Sequence, residues 1–562
     1  MEDRLTPGGG LDLRSFPVKV PEYFNFANDI IDAWAERDRN KLAMIWINQQ
    51  GEERCFTFHE ISRLSNQAAN LLVKCGIRKG DRVFIMIPRL PEWWIFSLAC
   101  IRLGAVQCPS PSLLTPHDCR YRINAGKFKM VIANMDNTDK FDEIFNDCPT
   151  LLSRMVVDGE KEGWISYRQE ISTPPGISRD RLETAFRAKT KSKDPMLLMF
   201  TSGTSKNPKM VEHSHDLPLG HRVTAELWHG STPNDLQLTM SDTGWGKNIW
   251  SNYFGQWIMG ACLLIFDIRG KFHPEEILPV IEKYEVTIFC APPTVYRMLV
   301  LSDLSKYNLS HLRNCCAAGE PLHTETVKIW KEGTGLTIRE AYGQTETVAM
   351  IGNFLKDGEP VPGSMGRAAP GWIIELHDED GNPVPEGEDG RIAVKISDGC
   401  RPAGLLIQYA EAPEANEESF RNGWYYTGDK ARRDEKGNFW FVGRSDDIIK
   451  SSGYRIGPLE VEEAIMKHPS VKETAVIGVP DPVRGKRVKA YIILKEGYVP
   501  TEALVKDIQD FTKHQTAPYK YPREIEFVSA LPKTFSGKVK RDLLRRHSET
   551  GEDVFSGLKE PT

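Results

Sequence analysis

Apolar residues recur along this chain in two rhythms, and the two alternate. Across residues 58–76, Ile61, Leu64, Ala68, Leu71, Leu72 and Cys75 return every three or four positions. That spacing predicts an amphipathic helix, with Gly76 able to take the left-handed conformation that ends it. After Lys79, Gly80 and Asp81, residues 82–87 (RVFIMI) form a short, nearly unbroken apolar run. Such a run reads as a strand buried on both faces. Residues 93–106 are the most apolar stretch, but Arg102 interrupts them and they are too short to span a bilayer, so a core helix is expected. The same rhythm returns with strand-like runs at 196–200 and 286–290, the latter followed by Ala291, Pro292, Pro293 and a helical pattern from Thr294. Strands alternating with helices imply parallel sheets covered on both faces.

The texture changes after about residue 360. Turns rich in Gly, Pro, Asp and Glu separate short strands such as residues 391–396, which predicts an antiparallel β subdomain. From about Gly443 the pattern predicts a smaller α+β unit. It has helices near 459–467 and 501–513 and strands near 474–479, 488–494 and 525–528. The polar tail after about Arg546 is expected to fray.

At 562 residues the chain exceeds a single core, and two to four domains are expected. A formal net charge of −5 with interspersed signs argues against nucleic-acid binding as the main role. The 11 cysteines form no C-x-x-C pair and no zinc-like cluster, and Cys315 adjoins Cys316, so reduced thiols in a cytoplasmic protein are expected. The acidic, glycine-rich start resembles neither a signal nor a transit peptide.

The candidate chemistry begins where the strand at 196–200 ends. Thr201, Ser202, Gly203, Thr204, Ser205, Lys206 and Lys209 crowd into one loop. Its amides and hydroxyls can wrap phosphate oxygens, and Lys209 adds a point charge, although the spacing is not that of the common P-loop. Further along stand Gly319-Glu320-Pro321, Tyr342-Gly343-Gln344-Thr345-Glu346-Thr347, the acid Asp429, a run from Gly443 to Arg455, and Ser536-Gly537-Lys538. Singly, each is what an ordinary turn or solvated surface would also show.

Together and in this order, these motifs resemble the adenylate-forming superfamily of acyl-CoA synthetases, non-ribosomal adenylation domains and luciferases. The resemblance spans nearly the whole chain. Residues 209–215 (KMVEHSH), 241–247 (SDTGWGK) and 517–523 (APYKYPR) are most similar to the medium-chain acyl-CoA synthetase branch. The resemblance implies that a carboxylate attacks the α-phosphorus of ATP to give acyl-AMP and pyrophosphate. The CoA thiol then takes the acyl group. It implies an α/β and α+β architecture: an N-terminal domain, residues 1–445, with two parallel-rich αβ subdomains and a β subdomain, and a small mobile C-terminal domain, residues 446–562.

Roles follow by match to the motifs. Residues 201–209 hold phosphates, Glu346 holds Mg²⁺ with help from Thr204 or Thr345, and Asp429 and Arg444 contact the ribose. Gly319-Glu320-Pro321 and Glu340-Ala341-Tyr342 flank the adenine, with Gly343, Gln344 and Thr345 completing the nucleotide site. Lys538 acts as the catalytic cation between two anions that must meet, and no general base is needed because a carboxylate is already ionised. The hinge matches Asp446. Contacts to CoA fall on Ser452, Gly453, Tyr454, Arg455, Arg484, Tyr521, Pro522 and Arg523.

Two positions modify the picture. Lys206 stands where the family usually has glycine, which restricts the loop but adds a cation; either an active loop with altered ATP affinity or impaired adenylation follows. Gly343 stands where acetate-specific relatives carry a tryptophan plug, so an acyl pocket larger than acetyl is expected, lined by Gly343 and Trp245. Straight medium-chain, branched and aromatic acids stay open. So do a carrier-protein acceptor in place of CoA and a weakly active binding homologue. The expected partners are a small carboxylic acid, ATP and CoA, with no stable membrane insertion.

Overall fold

Local chemistry sets the element boundaries. The helix Phe58–Lys74 begins at Thr57, whose hydroxyl accepts from the Glu60 amide at 3.2 Å while the Glu60 carboxylate accepts from the Thr57 amide at 2.8 Å. It ends where Gly76 adopts φ +87°. The apolar helix Pro91–Leu103 is buried along its length. Its one cation, Arg102, donates to both carboxylate oxygens of Asp32 at 2.9 and 2.6 Å and to Ser65 Oγ at 3.0 Å. A guanidinium with no exposed surface is tolerable only when paired in this way.

The architecture is that of a computed structural model describing residues 16, 18–172, 189–201, 208–270, 273–322, 324–396, 401–444, 447–451, 454–482, 484–517, 519–534 and 538–555, without the side chains of Lys450 and Arg455. The chain forms two compact units: residues 1–201, 207–373 and 396–418, and residues 202–206, 374–395 and 419–562.

The first unit holds two large sheets. One has nine strands, in the order Arg367–Ala368, Ile351–Gly352, Arg339–Tyr342, Asn314–Ala318, Ile288–Ala291, Leu236–Thr239, Cys262–Asp267, Leu42–Asn48 and Glu53–Thr57. Its six central strands, Arg339–Tyr342 through Leu42–Asn48, run parallel, and antiparallel strands close both margins. The other has eight strands, from Gln408–Ala410 through Met210–Ser214, Pro195–Phe200, Val106–Pro109, Arg82–Met86, Met130–Ala133 and Ser153–Val156 to Ile165–Ser166. The three strands on the Gln408–Ala410 side pair antiparallel. Parallel strands buried on both faces explain the unbroken apolar runs in the sequence. Residues such as Phe289, Tyr296, Leu312 and Trp330 fill one core and Phe84, Val131, Phe141 and Leu198 another.

The second unit holds two five-stranded sheets. One is the expected antiparallel β subdomain, built on Ile374–His377, Asp389–Lys395, Trp424–Arg433 and Phe439–Arg444. The other is centred on the hairpin Val471–Asp481 and Gly485–Leu494. Val476, Val488, Ala490 and Ile492 face the helices Pro458–Met466 and Glu502–Gln515. The alternate residues Ala475, Ile477, Val479, Tyr491 and Ile493 pack with Leu544. That second face corrects the expectation of a frayed tail. A helix, Arg541–Thr550, continues past Arg546, and His547 and Phe555 lie against Tyr491 with ring centroids 6.0 and 5.8 Å away.

Candidate active site

Four neighbouring parallel strands of the nine-stranded sheet deliver the motifs. Leu236–Thr239 leads to Trp245, Ile288–Ala291 to Thr294, Asn314–Ala318 to Gly319, Glu320 and Pro321, and Arg339–Tyr342 to Gly343, Gln344, Thr345 and Glu346. Ligands of such sheets bind beyond the carboxyl ends of the strands, where these segments emerge. Glu320 is fixed there by Thr294, which donates from its amide at 3.2 Å and its hydroxyl at 2.5 Å, and by Arg297 at 3.3 Å. Glu340 accepts from the Leu322 amide at 3.1 Å, and Ala341 sits opposite Ala318 in the parallel register.

The phosphate-loop candidate joins Pro195–Phe200 to Met210–Ser214, antiparallel neighbours, and its ends are tied by Thr201 N donating to Lys209 O at 2.9 Å. Ser202, Gly203, Thr204, Ser205 and Lys206 lie outside the described residues, as do the hinge candidate Asp446 and the CoA candidates Ser452 and Gly453.

Residues outside the expected set complete the site. Tyr409, on the strand Gln408–Ala410 beside Met210–Ser214, donates its hydroxyl to Glu346 Oε1 at 3.0 Å. The Lys209 ammonium sits 5.1 Å from the centre of the same ring. One phenol thus joins a carboxylate and a lysine from separate motifs. His213 lies 2.7 Å from the Thr345 carbonyl through Nε2. A carbonyl only accepts, so Nε2 carries the proton, and burial pushes the ring down to about 4, keeping it neutral. Lys247 donates to Ala318 O at 3.0 Å, and burial lowers its pKa against the opposing pull of Cys290, Cys316 and Glu320. It nevertheless retains some accessible surface.

Gly343 is required by packing. A Cβ there would stand 2.2 Å from Val348 O and 2.4 Å from the Trp250 ring. The volume that a side chain at 343 would claim is held by Trp250, itself buried.

In the second unit, Asp429 and Arg444 face each other across antiparallel strands, with Arg444 Nε 3.6 Å from Asp429 Oδ1. Asp429 is buried and Arg444 exposed, which suits a carboxylate that reads hydroxyls beside a cation open to solvent. Tyr454 stacks on Tyr519 at 4.0 Å between centroids. Tyr521 takes Arg523 Nη1 on its hydroxyl at 2.9 Å and the Lys513 ammonium 4.4 Å over its ring, so Lys513 and Tyr519 pack against residues of the segment expected to meet CoA. Pro522 is buried, and Arg484 turns on its amide bond to Asp481 Oδ1 at 2.9 Å. Lys538 is exposed on a loop whose neck is closed by Thr534 N donating to Lys538 O at 2.7 Å.

Two family profiles cover the chain: AMP-binding enzyme over residues 31–398, and AMP-binding enzyme C-terminal domain over residues 460–538. The chain belongs to the AMP-binding enzyme family. Within this family it is 42% identical to the human acyl-coenzyme A synthetase ACSM3, mitochondrial, across 95% of this chain and 91% of that protein. Its fold matches the anthranilate CoA ligase AuaEII in complex with anthranoyl-AMP, with a TM-score of 0.85, 31% identity, and coverage of 95% of this chain and 98% of that one. ATP-bound MatB from Rhodopseudomonas palustris matches with a TM-score of 0.82, 26% identity, and coverage of 94% and 100%. Among the described residues, no helix of this family member is long and apolar enough to cross a membrane.

Proposed function

We propose that this AMP-binding enzyme is an AMP-forming acyl-CoA synthetase that converts a carboxylic acid of medium size, ATP and CoA into acyl-CoA, AMP and pyrophosphate through an acyl-adenylate. The observation that carries the reading is the Lys209–Tyr409–Glu346 constellation, a cation and a carboxylate held on one phenol beside the strand-end motifs. Lys209 and the loop that it closes bind the outer phosphates. Asp429 and Arg444 orient the ribose. Lys538 meets the charge that builds between the substrate carboxylate and the α-phosphate. The C-terminal domain, residues 446–562, which carries Lys538, then turns about Asp446, and the Tyr454, Arg484 and Tyr521–Arg523 region receives CoA.

Mg²⁺ fits this donor set. Glu346 supplies one carboxylate, and the described residues contain no group of three or more His, Cys, Asp or Glu that could hold a metal by themselves. Magnesium is commonly held by one or two carboxylates with water and substrate phosphates. Glu346 would hold it, assisted by Thr204, and the ion would offset phosphate charge.

Trp250 and Trp245 form the acyl wall in this reading, with the Trp250 ring limiting the room that glycine at 343 leaves for acids larger than acetate. The cytoplasmic placement expected from the thiols stands against the word mitochondrial in the names of the curated relatives. Fractionation of the tagged protein decides between the two. The activity is tested by pyrophosphate release across acids from acetate to decanoate, with isobutyrate, 2-methylbutyrate and benzoate, each with and without CoA. CoA-dependent turnover that avoids acetate is expected. Silence across the panel with ATP still bound would move the weakly active homologue to the front.

A further inference from the structure

The helix Arg541–Thr550 starts with an arginine, an unfavourable place for a cation because the amino end of a helix is already positive. Four residues on, Arg545 stands on the same face, and like charges at that spacing repel. Both arginines are partly buried, with 18% and 22% of their side chains exposed. Their carboxylate partners make the arrangement tolerable, and those partners divide by location. Glu462, on the helix Pro458–Met466, takes Arg541 Nη2 on both oxygens at 2.6 and 2.9 Å and is also bonded by the Val476 amide at 2.7 Å. That pair anchors the helix to the body of the small α+β sheet. Asp447 instead takes Arg545 Nη1 at 2.7 Å and lies 3.8 Å from Arg541 Nη1.

Asp447 belongs to no core. It stands at a turn in which the Asp447 and Ile448 amides both donate to the Arg444 carbonyl, at 3.1 and 3.2 Å. On the other side of the cluster, Arg541 follows Lys538 by three residues, and the intervening Lys540 amide is bound to Pro532 O at 2.8 Å. The Asp447–Arg545 pair therefore links the turn that follows Arg444 to the helix whose first residue comes three after Lys538.

We propose that Asp447 and Arg545 are positioning residues that hold the Lys538 loop to the turn behind Arg444 and so set the lysine for the adenylation half-reaction. The proposal rests on the reading of Lys538 given above. Removing Arg545 leaves Leu544 packed and Arg541 still paired with Glu462, so the helix keeps its fold and loses its link to the turn after Arg444. A misplacement of about 1 Å at a reacting group costs up to about 100-fold in rate.

The test compares Arg545→Ala, Asp447→Asn, Arg545→Lys and Lys538→Ala in the two half-reactions. Arg545→Ala and Asp447→Asn are expected to lower kcat for acid-dependent pyrophosphate formation by about tenfold or more, with the KM for ATP within about twofold. Thioester formation from supplied acyl-adenylate and CoA stays within about twofold in both variants, and Arg545→Lys recovers most of the adenylation rate. Equal losses in the two half-reactions, or undiminished adenylation in Arg545→Ala and Asp447→Asn while Lys538→Ala is inactive, overturn the tie alone. Full adenylation by Lys538→Ala removes the underlying reading of the lysine and the tie with it.

Discussion

Acidification should unfold the first unit through its buried histidines. His213, His215, His221 and His229 have at most 1% of their surface exposed. Burial pushes the first two down to about 4 and the last two down to about 3, from an ordinary value of 6.5. The nearby charges act in both directions: Asp216 and Asp194 oppose the shift at His213 and His215, while Arg401, Lys79 and Lys247 deepen it at His213, His215 and His229. The folded values lie below the unfolded one, so the unfolded chain takes up protons first. The contribution is complete above pH 6.5 and is lost as pH falls towards 4 and 3. From pH 7 to 5 each histidine then costs about 2 kcal/mol, and the set about 7 kcal/mol, comparable with a whole domain's stability. The assay is urea unfolding followed by tryptophan fluorescence, since Trp228 and Trp257 are fully buried in the same unit. Among the described residues, neither ring nitrogen of His221 has a hydrogen-bond partner, so His221→Leu removes a titrating group without stranding a donor. It should recover about 2 kcal/mol at pH 5 and change stability at pH 7 by less than about 1.5 kcal/mol. A midpoint that stays flat between pH 7 and 5, or a His221→Leu variant that follows the parent's slope, would refute the reasoning.

Lys538→Ala should lower adenylation by about 100-fold or more while supplied acyl-adenylate is still converted to thioester; parallel loss of both steps would contradict the assigned role. Tyr409→Phe keeps the ring under Lys209 but removes the hydroxyl that donates to Glu346, a bond to a charged group worth about 1.5–3 kcal/mol. Adenylation at limiting Mg²⁺ should fall by about tenfold, and an unchanged rate there would count against Glu346 as the metal carboxylate. Trp250→Ala empties the volume beside Gly343 and should move kcat/KM towards bulkier acids by about tenfold or more, read from the same acid panel; an unaltered order of substrates would take Trp250 out of the acyl wall.

The parts of the fold legible in the sequence are those whose pattern has one physical explanation. The helix Phe58–Lys74 carries a stripe and a capping pair, and the strand Arg82–Met86 carries an apolar run that only a two-sided burial uses. The tail carries little apolar signal, because residues 541–550 are mostly polar and their helix fully buries one leucine. Its signal lay elsewhere, in the strand Gly485–Leu494, whose Tyr491 and Ile493 demanded a cover on the face opposite Ala490 and Ile492. The site divides in the same way. Glu320, Asp429 and Lys538 sit in motifs with fixed neighbours. Tyr409 does not: it reaches Glu346 only because a distant three-residue strand pairs with Met210–Ser214, and no local spacing encodes that pairing. Trp250 carries no such signal, because a tryptophan in an apolar segment reads as core and its closeness to Gly343 is a property of the folded chain.

The strand Gln408–Ala410 also decides how the molecule behaves in a crowd. It forms one margin of the eight-stranded sheet, and behind it Met210–Ser214 is buried at every position. An uncovered strand of that kind offers unpaired amides and carbonyls to any other chain. The three residues that bring Tyr409 to Glu346 are therefore also the guard on a self-adhesive edge. Substitutions that loosen their pairing should send protein into the pellet as well as slow the chemistry, so solubility and turnover are bound to the same short segment.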